Sequence, residues 1–268
     1  MSRRLTVLAG GGALVAEVIG GARAAGDEVQ ILPLVDRRDL GVEEVFRAAD
    51  LPKLIWRITT FRSTHVTMVG GLRASATERE AFQRFAGAGG GRSGDAAVLK
   101  IAEKVLAMTG AKVVGAETIV PAILAAAGHI AGPDLPAVLR APAIAALRAA
   151  RIIGGLDIGQ AVVAAPGRII AAEDIAGTDA LMARIAGYRA GGLDADLPLI
   201  LAKALKPQQG RVVDRPAIGP DTLRNAAAAG IGTIVVEAGG AVVIDRAAVE
   251  RLAAELGISV VGLSLDAG

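Results

Sequence analysis

Two lysines, two amides, two arginines and two carboxylates fall within the twenty residues Lys203–Thr222, KALKPQQGRVVDRPAIGPDT. Cations at this density suit an anionic ligand. Lys203, Lys206 and Arg211 could neutralise a diphosphate, while Asp214 could coordinate a hard cation or orient a water. Magnesium favours oxygen ligands, and a chain with two histidines and no cysteine fits such a site. Three prolines and two glycines in the same stretch exclude a regular helix, so the sequence predicts a stiffened loop between core elements. An ordinary solvated connection would have the same composition.

Three further groups of residues could do chemistry. Ala9-Gly10-Gly11-Gly12-Ala13 is a glycine turn between an apolar run and a helical stretch, where a phosphate can approach the backbone and helix N–H groups stand free. It does not meet the dinucleotide pattern GxGxxG: position 15 is Val, and Asp36 sits in the mixed cluster Asp36-Arg37-Arg38-Asp39 rather than alone. A nicotinamide-dependent oxidoreductase is therefore a weak reading, beside a plain tight turn or another nucleotide contact. Leu156-Asp157-Ile158-Gly159-Gln160 places Asp and Gln around a glycine at a strand entry. Glu173 to Asp179 reads as a strand end and a glycine turn, with Thr178 or Asp179 capping the helix that follows. His65 and His129 lack metal-ligand spacing and read as structural. Neither a GxSxG elbow nor a GxxxxGK[ST] loop occurs, so neither an esterase nor a standard ATPase is supported.

These groups need a scaffold, and the rest of the chain describes one. With 53% hydrophobic and 21% charged residues in 268, the balance is globular, and the length allows two domains. Aromatics are only 2%, so the core is aliphatic and stacking platforms for single-stranded nucleic acid are missing. The net charge of +2 and the absence of a Lys/Arg block argue against nucleic acid as a partner. Zero cysteines exclude disulfides and thiolate chemistry and are compatible with a cytosolic protein. Mean hydropathy is high at +0.50. Even so, the most apolar window, Val114–Pro133, contains Glu117, Pro121 and His129 and reads as helix plus turn rather than a membrane span. The N-terminus has the arginines and apolar run of a signal peptide but reads better as a first strand entering a turn.

Arg4–Ala9, the glycine turn, a helix over Ala13–Ala25 and a strand over Val29–Leu34 open a doubly wound α/β domain. Helices are expected over Val42–Ala49, Lys53–Phe61, Thr77–Phe85 and Asp95–Met108. Strands are expected over His65–Val69 and Val113–Val114, with a flexible turn over Gly87–Gly94. Pro133, Pro136 and Pro142 bracket a connector. The expected division is a Rossmann-like N-terminal domain over 1–132, a linker over 133–150 and a C-terminal α/β domain over 151–268, to which the resemblance described next assigns catalysis. In the second domain Pro166-Gly167 signals a hairpin between Ala161–Ala165 and Arg168–Ala172. Apolar runs follow at Leu197–Ala202, Thr233–Val236, Ala241–Ile244 and Ile258–Leu263, with helices over Asp221–Ala229 and Arg246–Leu256.

Taken in order, LAGGGALV, VGGLR, SGDAAVL, GLDIGQAVV, AEDIAGTDALMAR, the Lys203–Thr222 loop and AGIGTIVVEAGGAVVID resemble the LpxI type of UDP-2,3-diacylglucosamine pyrophosphatase of lipid A synthesis. The resemblance spans nearly the whole chain. It implies a Rossmann-like N-terminal domain, a distinct C-terminal α/β domain, and substrate held between them. It also implies magnesium-dependent hydrolysis of the diphosphate of UDP-2,3-diacylglucosamine, water attacking the α-phosphorus, to give UMP and 2,3-diacylglucosamine 1-phosphate (lipid X).

Carried over by motif, Asp214 serves catalysis or magnesium binding. Gly11, Gly12 and Ala13 form the ligand turn, Thr178 and Asp179 the Gly-Thr-Asp element, and Lys203 the loop lysine. Gln160, Glu173, Lys206 and Gln209 match as well. The implied place is the cytoplasm, peripheral to the inner membrane, with a homodimer allowed. Two departures stand out. The family loop reads Gln-Asp/Glu-x-Arg-x-Asp-x-Pro, whereas here Gly210 follows Gln209 and Val212 takes the arginine position. Arg211 is adjacent, but a shift of one residue reverses side-chain direction in an extended chain. The family's Asn and Pro after the third strand are Gly71 and Ser75. The alternative is a homologue that binds the nucleotide or lipid without turnover.

Overall fold

The computed structural model describes residues 2–47, 50–71, 108–207 and 215–265. The chain divides into two compact units between Ala122 and Ile123. Both are α/β, and each is held by its own apolar clusters.

Among the described residues of the N-terminal unit four strands lie parallel in the order β2-β1-β3-β4: β1 (Arg4–Ala9), β2 (Glu28–Pro33), β3 (His65–Val69) and β4 (Lys112–Val113). β1 is central and needs apolar residues on both faces. Leu5, Val7 and Ala9 meet helix α1 (Leu14–Ala24) through Val15, Val18, Ile19 and Ala22. Leu8 and Val66 meet helix α2 (Leu51–Thr60) through Leu51, Leu54 and Ile58. The chain leaves β1 to one side for β2 and returns to the other side for β3. The strand order therefore reverses between β1 and β3, where open α/β sheets offer a crevice beyond their carboxyl ends.

The expected helix over Val42–Ala49 does not form: residues 42–47 are neither helix nor strand. Tertiary contacts override a weak local preference there. Phe46 is buried, its N–H donates to the Pro33 carbonyl at 2.7 Å, and Glu44 pairs with Arg57 at 2.8 Å. The helices expected over Thr77–Phe85 and Asp95–Met108 and the turn over Gly87–Gly94 fall on residues 72–107, outside the described residues, apart from Met108, which lies in a turn. A short helix, α3 (Ala116–Ile119), ends the unit.

The C-terminal unit is built on six strands in the order β5-β12-β10-β8-β6-β7. They are β5 (Gly128–Ala131), β6 (Ala161–Ala165), β7 (Arg168–Ala172), β8 (Ile200–Lys203), β10 (Thr233–Glu237) and β12 (Ser259–Leu263). β8, β10 and β12 are parallel, β5 and β6 run against them, and β6–β7 is the expected hairpin. β9 (Ala217–Ile218) and β11 (Val242–Val243) form a separate parallel pair.

One face of the sheet, with Val163, Leu201 and Val236, packs on three helices: α5 (Gly177–Ala190), α6 (Pro220–Ala228) and α7 (Arg246–Leu256). The other face, with Val162, Ile200, Ala202 and Val235, packs on α4 (Ala137–Gly155) through Ala143, Ala146, Leu147 and Ala150.

Helix α4 occupies most of the stretch expected as a linker over 133–150, and residues 123–132 belong to the second unit rather than the first. The prolines misled the sequence reading. Pro136 stands just before the helix, where a missing N–H costs nothing. Pro142 lies inside it and is tolerated because the alanine face is fixed on the sheet. Val114–Pro133 holds α3, a 3-10 turn over Pro121–Ile123 and β5. Among the described residues no helix is long and apolar enough to cross a membrane.

Candidate functional site

Two places gather the residues singled out from sequence, one in each unit. In the N-terminal unit it is the reversal between β1 and β3. The glycines after β1 cross the glycines after β3: the Gly10 N–H donates to Val69 O at 2.8 Å, and Gly11 and Gly71 exchange two backbone bonds of 3.0 Å each. A Cβ on Gly10 would lie 2.8 Å from the carbonyl oxygens of both Gly70 and Gly71, so only glycine lets the two loops touch.

Gly12 differs, because nothing lies within 4 Å of its would-be Cβ; its φ of +98° is what favours glycine. Gly12 and Ala13 are exposed and Gly11 is half-buried, and among the described residues no side chain caps the start of α1. The N–H groups of Gly10 and Gly11 are taken by Val69 O and Gly71 O, which leaves those of Gly12 and Ala13 as the ones that could meet an anion. A residue the sequence reading passed over holds it. Buried Arg37 donates from Nη1 to Gly10 O at 2.7 Å and Gly12 O at 3.3 Å. Its Nη2 reaches Asp39 at 2.7 Å, and that hydrogen bond holds the Asp39 carboxyl below its usual range.

In the C-terminal unit the place is the carboxyl end of the parallel strands. β8 ends at Lys203 and β10 at Glu237, and antiparallel β6 begins there, Ala161 lying opposite Lys203. Glu173, just past β7, is buried and organises the cluster: Oε2 accepts from the Gln160 N–H at 2.8 Å and Oε1 from the Thr178 hydroxyl at 3.0 Å. Gly159 lets this happen, since a Cβ there would sit 2.7 Å from Glu173 O. Gln160 also accepts on its carbonyl from the Ala204 N–H at 3.0 Å, tying strand entry to strand exit. Its buried Oε1 has no partner among the described residues, leaving an acceptor for a ligand donor.

Lys203 is buried, and its Nζ donates to Ala217 O at 3.0 Å. Lys206 reaches Asp157 Oδ1 at 2.9 Å across Gly154, whose would-be Cβ lies 3.2 Å from the lysine stem. An ammonium has three N–H donors, so Lys206 can keep Asp157 and still meet a phosphate. Glu237 completes this end. Its Oε2 accepts from the Leu205 N–H at 2.9 Å, fixing the chain where it leaves β8, and its Oε1 faces Arg151 at 3.4 Å. The sequence signal for it was an acid closing an apolar strand directly before Ala-Gly-Gly.

Other expectations fare differently. Neither Thr178 nor Asp179 caps α5. The residue before that helix is Ala176, whose N–H binds Asp174 at 2.8 Å. That bond, with Arg184 next in weight, keeps the Asp174 carboxyl below its usual range. Thr178 turns to Glu173, whereas Asp179 accepts from Asn225 of α6 at 3.0 Å, so the structure separates these neighbours. Pro220 and Thr222, at the end of the expected loop, begin α6 instead, Pro220 at its first position. Gln209, Gly210, Val212 and Asp214 lie outside the described residues.

Among the described residues no group of three carboxylates or imidazoles could hold a metal ion. Both oxygens of Glu173 and both of Glu237 already accept or face protein donors. His65 opens β3 in the N-terminal unit beside the Thr64 hydroxyl at 3.0 Å, and His129 Nε2 lies 2.7 Å from Gly132 O.

Compared with known proteins, residues 4–123 match the model of the LpxI N-terminal domain and residues 126–261 that of the LpxI C-terminal domain. A relative in Caulobacter vibrioides, UDP-2,3-diacylglucosamine pyrophosphatase LpxI, is 43% identical over 98 residues. That alignment covers 35% of this chain and 35% of the relative.

Proposed function

This chain belongs to the LpxI family, and on that premise we propose that it hydrolyses the diphosphate of UDP-2,3-diacylglucosamine to UMP and 2,3-diacylglucosamine 1-phosphate. The observation that carries the reading is the convergence of Gln160, Glu173, Thr178, Lys203 and Lys206 at one end of the C-terminal sheet. Open α/β sheets bind ligands beyond the carboxyl ends of their parallel strands. Two ammonium groups there suit a doubly charged diphosphate. The roles divide by chemistry. Lys203 and Lys206 offset phosphate charge, Gln160 offers its unpaired acceptor to a substrate hydroxyl or imide N–H, and Glu173 holds Gln160 and Thr178 in place. In the N-terminal unit Gly12 and Ala13 would offer backbone N–H groups to an anion while Gly11, bonded to Gly71, holds the turn; Thr178, Asp179 and Gln209 are proposed as further substrate contacts.

Asp214 is proposed as the catalytic carboxylate. Magnesium takes one or two carboxylates with substrate phosphates and waters rather than an all-protein cage, so a single aspartate with a diphosphate suits it. Bound there, the ion would offset developing charge on the phosphate oxygens. The protein would act from the cytoplasmic side, peripheral to the inner membrane, where a diacylated sugar nucleotide is found.

The test is to incubate the purified full chain with UDP-2,3-diacylglucosamine, with magnesium or with EDTA, and to measure UMP and the sugar 1-phosphate by mass spectrometry. Equal amounts of both products, dependent on magnesium, are expected. Gly210 and Val212, where the family carries an acid and an arginine, favour one second reading: a homologue that retains ligand without turnover. Ligand co-purifying with the protein, with no product formed, would replace the first reading by that one.

A further inference from the structure

Helix α4 has two faces of unusual character. Its inner face is the alanine stripe that lies on the sheet. Its outer face runs Val138, Ala141, Ala145, Arg148, Ile152 and, just past its end, Leu156, all exposed. These positions recur at helical spacing, so they form one continuous band. Val138, Ile152 and Leu156 are 77%, 66% and 68% exposed, although each is a large aliphatic side chain. The helix carries Arg140, Arg148 and Arg151 and no carboxylate. Arg151 turns to Glu237, whereas Arg140 and Arg148 have no ion pair or hydrogen bond among the described residues.

The apolar band extends past the helix. Ile158 is exposed and Ile175 fully so. They lie at the same end of the unit, because Gln160 is bonded to Glu173 and Ile158 to Ile153. The two carboxylates close by are already engaged, Asp157 by Lys206 and Asp174 by Arg184. Helix α7 shows what an ordinary solvated face looks like in this unit: Glu250 and the pair Arg251–Glu255 alternate sign along it. α4 instead presents a band of aliphatic side chains with Arg148 among them, Arg140 and Arg151 along one flank, and no carboxylate on the helix itself.

We propose that the outer face of α4 docks the protein on an anionic lipid surface. The inference rests on the peripheral-membrane part of the reading above and gives that association a place in the fold. Aliphatic side chains on one band with arginines beside them are what an interfacial helix needs: the band enters the acyl boundary while guanidinium groups meet lipid phosphates. A second copy of the chain fits poorly. A twofold pairing through this face would set arginine-bearing helices against each other with no acid to neutralise them. The charge is complementary to a phosphate-rich surface.

The experiment measures partition of the full chain onto sedimented vesicles of phosphatidylethanolamine with phosphatidylglycerol, against vesicles of phosphatidylcholine alone. The expected result is clear preference for the anionic vesicles, weakened by salt. One surface cation contributes about fivefold in partition, so the double variant Arg140→Gln/Arg148→Gln should lose about 25-fold. Ile152→Ser/Leu156→Ser should lose at least about tenfold. Both variants alter exposed side chains, and circular dichroism of each is expected to match the parent.

Equal partition onto both vesicle types, no partition at all, or variants that bind as the parent does would each overturn the proposal. So would binding to an acidic peptide without binding to vesicles, or a dimer in sedimentation that Ile152→Ser/Leu156→Ser dissolves. Turnover of a short-chain, water-soluble diacyl substrate without vesicles separates the two readings. Docking variants should release UMP within twofold of the parent. Vesicle binding by a parent that makes no UMP would leave docking standing and remove the reaction.

Discussion

Replacing Glu173 gives the sharpest structural test of the C-terminal cluster. The side chain is 8% exposed and accepts two hydrogen bonds, from the Gln160 N–H at 2.8 Å and the Thr178 hydroxyl at 3.0 Å. Glu173→Ala removes both acceptors. Hydrogen bonds to a charged group contribute about 1.5–3 kcal/mol each. Removing the carboxylate also removes the cost of burying it, so the net loss should be about 3 kcal/mol. For a chain of this size that corresponds to a fall of roughly 6–12 °C in Tm.

Glu173→Gln should behave differently. The amide oxygen can keep the Gln160 N–H, and the NH2 can donate to Thr178, whose hydroxyl also accepts. Only charge assistance is lost, at about 1 kcal/mol. Thermal unfolding followed by circular dichroism should therefore rank parent, Glu173→Gln and Glu173→Ala in that order. A Tm for Glu173→Ala within about 2 °C of the parent would refute the claim that this carboxylate holds the cluster together. Equal damage from both variants would refute the hydrogen-bond account of how it does so.

Other predictions address the remaining parts. Gly12→Ala and Gly70→Ala both force a side chain onto a positive φ, a strain of about 1–2 kcal/mol. Gly70→Ala also drives a Cβ into Gly11 O and Val15, so its Tm should fall clearly further, and equal Tm values would contradict the crossed-loop geometry. Burial first, then Arg3 and Lys112, lowers the His65 pKa, so the folded state favours the neutral ring. Its contribution to stability should be complete above the ordinary imidazole value, about 6.5, and be lost as pH falls through the lowered native value. Melting at pH 7.5 and 5.5 should show a smaller acid-side loss in His65→Gln than in the parent. Lys206→Met breaks a partly exposed ion pair and should cost at most about 1 kcal/mol in urea unfolding. It should nevertheless lower UMP release at least about tenfold through the lost phosphate contact.

What could be read ahead of the structure followed from local chemistry. β1, β3 and the β6–β7 hairpin are apolar runs closed by glycine or Pro-Gly, and the ends of α7 match the expected Arg246–Leu256. Long-range effects were invisible. Phe46 abandons a plausible helix because its N–H finds Pro33 and its ring a core pocket. Pro142 marks a break in isolation but is carried by the sheet beneath α4. The same holds at the sites. Gln160, Glu173 and Thr178 could be suspected from residue type, but that Glu173 binds the other two depends on β6 pairing with β7. Arg37 and Glu237 escaped notice because each acts on backbone atoms far away in sequence, Gly10 and Leu205. No spacing rule announces such a pairing.

The most direct measurement compares UMP release from UDP-2,3-diacylglucosamine by the parent and by Asp214→Ala, both with magnesium and at saturating substrate. A carboxylate that orients or deprotonates the attacking water contributes on the order of a hundredfold or more, so the variant should lose at least that factor, with circular dichroism checking that it is folded. Release at the parent's rate by Asp214→Ala would contradict the account.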